Sequence, residues 1–127
     1  MYYNNNNRGK EMNSFDYGQN PFVVDINKAT LHNGNFRTTL WTGKHLQLTL
    51  MSIPVGQDIG LEVHPNVDQF LRLEDGQGVV VMGDSKDHLY FKQPVYEDSA
   101  VFIPAGTWHN VVKLGFLKSP IATKTVI

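Results

Sequence analysis

Apolar and polar residues alternate with a period of two over many short stretches of this chain. In His45–Ile53, Leu46, Leu48 and Leu50 interleave with Gln47 and Thr49, the pattern of a strand with two unlike faces. Phe36–Thr42, rich in Thr and aromatics, reads the same way, as do Val79–Met82, His88–Phe91, Val95-Tyr96 and Ser99–Ile103. Between them lie turn signals at Gly43-Lys44, Pro54-Val55-Gly56, Gly76-Gln77-Gly78, Gly83–Asp87 and Pro94. Many short strands punctuated in this way predict an all-β sandwich or barrel. Upstream, Phe22–Ile26 predicts a further short strand, and Ile26–His32 a brief helical turn stopped at Asn33-Gly34-Asn35. Alternation alone leaves two faces open for His45–Ile53. The leucine face is the safer core candidate, while Gln47, Thr49 and Met51 share a face suited to a pocket.

Composition narrows the class. At 127 residues, with 41% hydrophobic and 18% charged, the chain suits one domain over residues 21–127. The Asn-rich residues 1–20 are expected to form a loose arm. Eleven Lys and Arg face twelve Asp and Glu, for a net charge of -1 without a basic block, so neither nucleic acid nor a membrane surface is an expected partner. The N-terminus lacks the pattern of a signal peptide and no apolar run is long enough to span a bilayer, which makes the cytoplasm the expected location. With no cysteine, any metal site must use nitrogen and oxygen ligands.

One pair stands out for chemistry. Glu62 and His64, two apart in what reads as a strand, are expected to present a carboxylate and an imidazole to the same side. The segment carrying them, Gly60 to Gly76, resembles the first motif of the cupins, in which two histidines spaced by one residue are followed by a glutamate and then a glycine. Pro104-Ala105-Gly106-Thr107-Trp108-His109 resembles the second motif, Pro-x-Gly-x-x-His. The resemblance covers about residues 45 to 110 and implies an antiparallel double-stranded β-helix, the cupin jelly-roll barrel. It also implies a metal set of Glu62, His64, Gln69 and His109. Glu62 stands where a histidine is usual, and Gln69 where the glutamate is usual.

Two imidazoles and a carboxylate suit one divalent transition metal such as Mn, Fe, Ni or Zn. Gln69 adds a weaker amide oxygen, or hydrogen-bonds a neighbouring ligand instead. A pocket of hydrogen-bonding groups without metal is the alternative for His64 and His109. His32, His45 and His88 read as solvated, and Asp68 as facing away from the site. Trp41, Phe70, Phe102 and Trp108 read as core or interface residues.

The function implied is a small metal-binding cupin that acts on or binds a small polar metabolite. Within it lie a sugar-phosphate isomerase-like activity, for which Arg37, Lys44 and Arg72 are the candidate phosphate grips, an oxygen-dependent Fe(II) or Mn enzyme, and a non-catalytic metal- or ligand-binding module. Lys113 to Ile127 departs from the expected continuation of the barrel. Either this end is truncated or frameshifted, leaving an open sheet edge, or Ile121 to Ile127 supplies a short last strand. Small cupins commonly pair, and a homodimer is the expected state. Size-exclusion chromatography with light scattering should return twice the chain mass, and a monomer overturns that expectation.

Overall fold

The computed structural model describes residues 16–112 and 121–126. One short helix, α1 (Ile26–His32), precedes eight strands: β1 (Arg37–Thr42), β2 (Gln47–Ile53), β3 (Gln69–Asp75), β4 (Gln77–Gly83), β5 (Phe91–Tyr96), β6 (Ala100–Ile103), β7 (Trp108–Val112) and β8 (Ile121–Val126). They form two sheets, one ordered β1-β2-β8-β3-β6 and the other β5-β4-β7, and all paired neighbours run antiparallel. Isolated bridges from Asp58 to Val112 and from Glu62 to His109 extend the smaller sheet beyond β7. This is the expected all-β jelly roll. Among the described residues no helix is long and apolar enough to cross a membrane.

The last strand settles one expectation. β8 lies between β2 and β3, with Leu50 opposite Lys124 and Leu71 opposite Thr125, so Ile121–Val126 fills the middle of the larger sheet instead of leaving a gap there. Lys113–Pro120 and Ile127 lie outside the described residues, as do residues 1–15 of the expected arm.

Both faces of β2 turn out to be buried. Met51 and Ile53 join Leu71, Leu73, Val80, Val101, Ile103 and Val111 in the core between the sheets. Leu50 and Leu48 point the other way, into a second cluster with Ala29, Leu40, Tyr17, Phe22, Val24 and Ile26. The leucine face is therefore a core face, but on the outside of the barrel. The segment before β1 covers it, and the opposite face lines the interior. Phe22–Val24 serves this outer layer without joining a sheet: Phe22 and Val24 pack against the cluster around Leu50, while Val23 is 91% exposed.

The outer layer is anchored at several points. Tyr17 stacks on Phe22 at 4.5 Å, and its N–H donates to the Leu40 carbonyl at 2.9 Å. Asp25 caps α1 by accepting from the Lys28 N–H at 3.0 Å, satisfying a donor that the helix start leaves free. The Asn27 amide donates to Glu74 Oε1 at 2.9 Å, tying the helix to β3. Arg72, also on β3, is held by Glu74 Oε2 at 3.1 Å and Asp98 Oδ1 at 2.5 Å.

Burial predicts which substitutions matter. Leu71 is fully buried whereas Phe102 is 71% exposed, touching Phe70 at a ring separation of 5.2 Å. Leu71→Ala should cost about 3 kcal/mol in denaturant unfolding, the usual price of a leucine cavity. Phe102→Ala should cost less than about 1 kcal/mol. Equal effects would contradict this placement of the core.

Candidate metal centre

The two segments singled out in the sequence cross between the sheets side by side. On the smaller sheet, Glu62 and His109 form a reciprocal backbone pair: the Glu62 N–H donates to the His109 carbonyl at 3.0 Å, and the His109 N–H to the Glu62 carbonyl at 2.9 Å. Directly paired residues project their side chains to the same face. On the larger sheet Gln69 pairs with Ile103, the residue before Pro104. Between these points the Gly106 N–H donates to the His64 carbonyl at 2.8 Å, and the Ala105 N–H donates to Asp68 Oδ1 at 2.9 Å. Gly106 adopts φ +80°, a conformation that a side chain disfavours and that this turn requires.

These backbone bonds bring three donors together. His64 Nε2 lies 3.8 Å from Glu62 Oε1, and His109 Nε2 lies 3.5 Å from Glu62 Oε2. The two imidazole rings are 5.8 Å apart. One donor atom from each of Glu62, His64 and His109 falls within 4.8 Å of the others, so the three can hold a metal ion. Donors bound at ~2.1 Å to one ion sit roughly 3–3.5 Å from each other, close to these separations.

The protonation pattern suits such an ion. His109 is fully buried, and its Nδ1 lies 2.9 Å from the Thr107 carbonyl. A carbonyl can only accept, so Nδ1 carries the proton and Nε2 presents its lone pair to the centre. Glu62 is held below the ordinary carboxylate range. Hydrogen bonding from His109 contributes most and belongs to the imidazolium form, in which Nε2 is protonated too; desolvation opposes it, and the charges of His109 and His64 in that form and of Arg37 add to the lowering. At 3.5 Å the His109 contact is long for a hydrogen bond, so charge attraction is the firmer part of that account. The lone pairs are also unanswered: His64 Nε2, His109 Nε2 and Gln69 Oε1 are buried without a hydrogen-bond partner among the described residues. Buried polar atoms are rarely left so, and the two imidazole nitrogens facing Glu62 have the chemistry to hold a cation.

Gln69 opens β3 on the face it shares with the core residues Leu71 and Leu73, and is 5% exposed. It thus lines the barrel interior from the opposite sheet. Across the smaller sheet, His109 pairs with Met82 and Met82 with Phe91, placing an apolar row beside the centre. An open cleft of about 530 Å³ reaches Gln69 between Leu46, Phe70 and Phe102, but none of the other three residues lines it.

The remaining candidates fall elsewhere. His32, His45 and His88 are exposed, and His88 Nδ1 is engaged with Asp84 Oδ1 at 2.9 Å. Asp68 faces solvent as expected, yet it also ties the two motifs together through the Ala105 N–H. Only fold geometry reveals that role, since the partners are 37 residues apart. Arg72 is committed to Glu74 and Asp98. Arg37 was one of three equivalent cations in the sequence, and it alone among them is felt at Glu62.

Comparison with known proteins agrees with this geometry. Residues 49–115 match the cupin domain model Cupin_2. The chain is 67% identical over 100 residues to the uncharacterised protein YrkC of Bacillus subtilis, covering 79% of this chain and 54% of YrkC. It is 38% identical over 91 residues to the uncharacterised protein L612 of Acanthamoeba polyphaga mimivirus, covering 72% of this chain and 55% of L612. The chain thus spans about half the length of these curated relatives. The crystal structure of BH2720 from Bacillus halodurans is similar at a TM-score of 0.84 and 54% identity, over 87% of this chain and 83% of that one. The chain belongs to the cupin family.

Proposed function

We propose that this cupin binds one divalent transition metal through Glu62, His64 and His109, with Gln69 as a fourth, weaker donor, and that the centre takes up a small polar metabolite. The observation that carries the reading is that two partnerless buried atoms, His64 Nε2 and His109 Nε2, face one carboxylate, with the partnerless Gln69 Oε1 on the barrel's interior face. Bound there, the ion supplies Lewis acidity toward a ligand oxygen. The Thr107 carbonyl keeps His109 in the tautomer that ligates. Met82 and Phe91 give the ligand an apolar wall on one side. The isomerase reading draws less support, because Arg72 is occupied on the outer surface and a phosphate normally requires several convergent donors.

Elemental analysis of untagged protein tests the metal set. The wild type should retain about one divalent ion per chain after dialysis, while His64→Ala and His109→Ala should bind it at least about tenfold more weakly. Equal metal content in all three would end the proposal.

The Glu62 carboxyl gives a second test on metal-free protein. Its folded-state pKa lies below the ordinary 4.5. The stability it contributes is therefore present above the ordinary value and lost as pH falls through the lower one. Urea unfolding followed into the acid range should show this loss in the wild type, and a shallower acid limb in Glu62→Gln. Parallel curves would show that the carboxyl is not stabilised as described.

A further inference from the structure

The turn that leads into His109 is held from outside itself. The Thr107 N–H donates to the Pro104 carbonyl at 3.1 Å, and Gly106, third of the four residues, adopts φ +80°, the signature of a type II turn. Such a turn closes through its first carbonyl and its last N–H, which leaves the N–H groups of the two central residues for partners elsewhere. Both are taken by one short segment of the first motif. The Gly106 N–H donates to the His64 carbonyl at 2.8 Å, and the Ala105 N–H donates to Asp68 Oδ1 at 2.9 Å. Residues 64–68 therefore close over the turn as a clasp with two jaws, one the backbone of a candidate ligand and the other a carboxylate.

The clasp bears on both imidazoles. His64 is held through its own carbonyl, and His109 Nδ1 lies 2.9 Å from the carbonyl of Thr107, the last residue of the turn. Gln69 follows Asp68 directly and opens β3. Of the two acceptors that grip the turn, one is backbone, so Asp68 is the place where a substitution can open the clasp and leave Glu62, His64, Gln69 and His109 in the chain. Asp68 is exposed, and without its carboxylate the Ala105 N–H would turn to water, freeing the turn on that side. Resting on the metal reading above, we infer that Asp68 is a positioning residue of the centre: its Oδ1 locks residues 104–107 against residues 64–68 and so presets the separation of the His64 and His109 rings, 5.8 Å between centroids, without touching the ion. The accepting oxygen performs this role and the charge does not, so an asparagine, which keeps an oxygen at the same reach, can replace it.

Co(II) is the probe, because its visible absorption reports coordination geometry as well as occupancy. Titrated into untagged, metal-free protein, it should bind Asp68→Ala about tenfold more weakly than the wild type, the usual effect of removing a group that orients a ligand, and with an altered absorption band. Asp68→Asn should stay within about threefold of the wild type and keep its band. In the metal-free chain, amide hydrogen exchange at Ala105 and Gly106 should quicken in Asp68→Ala and not in Asp68→Asn. Asp84→Ala, which removes an exposed carboxylate bonded to His88, should match the wild type throughout. Leu71→Ala, which weakens the core and leaves the clasp intact, should keep the wild-type Co(II) affinity. Equal affinity in wild type and Asp68→Ala would overturn the inference, as would unchanged exchange at the turn. An equal loss in Asp68→Asn would overturn it by making charge the cause, and an equal loss in Leu71→Ala by making global stability the cause. Failure of Asp68→Ala to fold would also overturn it, by placing Asp68 in the support of the whole barrel. Each of these outcomes leaves the metal reading intact, whereas a wild-type chain that binds no Co(II) removes both together.

Discussion

The reciprocal backbone pair between Glu62 and His109 is the contact on which the site depends. It consists of two ordinary hydrogen bonds, yet it joins a segment before β3 to the start of β7 and fixes two side chains on one face. Everything else at the centre follows from that register. His64 reaches the site because it is two residues from Glu62, and its own carbonyl is held by Gly106. Gln69 lines the barrel interior from the opposite sheet, where Ile103, its partner, leads directly into the turn before His109. A slip of one residue in either pairing would send half of the donor set to the wrong face.

The same arrangement explains why the barrel tolerates a polar, partly unsatisfied interior. A carboxylate and two imidazoles facing one another are costly in a low-dielectric space without a cation or a network of partners. The cost is contained because the apolar core lies to one side, around Ile53, Leu71, Leu73 and Val111, and because Glu62 and His64 keep about a quarter of their side-chain surface open, at 27% and 29%. Stability resides in the layer below the site, while the chemistry sits where water or a ligand can enter. The carboxylate is attracted by both imidazoles when they are protonated and by Arg37, so the centre is arranged around a negative charge.

Much of this was legible in the chain because it is local. Pro104, Gly106 and His109 occupy one turn and the strand after it, and Glu62 and His64 need only a two-residue period to share a side. Strand positions were readable where alternation was strong, as in Leu46–Leu50. What escaped was non-local. Alternation presumes one wet face, so it could not say that Leu50 and Met51 are both buried, on opposite sides of the same strand. Phe22–Val24 carries strand-like residues but finds side chains to cover instead of a backbone to pair with. Arg37 and Arg72 look alike in sequence, and strand register alone separates the one on the barrel interior from the one held by outer carboxylates. The link from Asp68 to Ala105 depends on a turn that no local pattern announces.

Because β2 is buried on both faces, the larger sheet works as a shared wall. Leu50 and Met51 are neighbours along one backbone, the first seated in the outer layer with Ala29 and Leu40, the second in the lining of the barrel. A side chain that swelled or shrank in the outer layer would be felt as a shift of the strand and carried into the cavity that Thr49 and Met51 help to shape. The described residues before β1 pack on the outer face of that wall, yet they hold a lever on the dimensions of the chamber, and substitutions there can retune what fits inside without altering a single group that binds it.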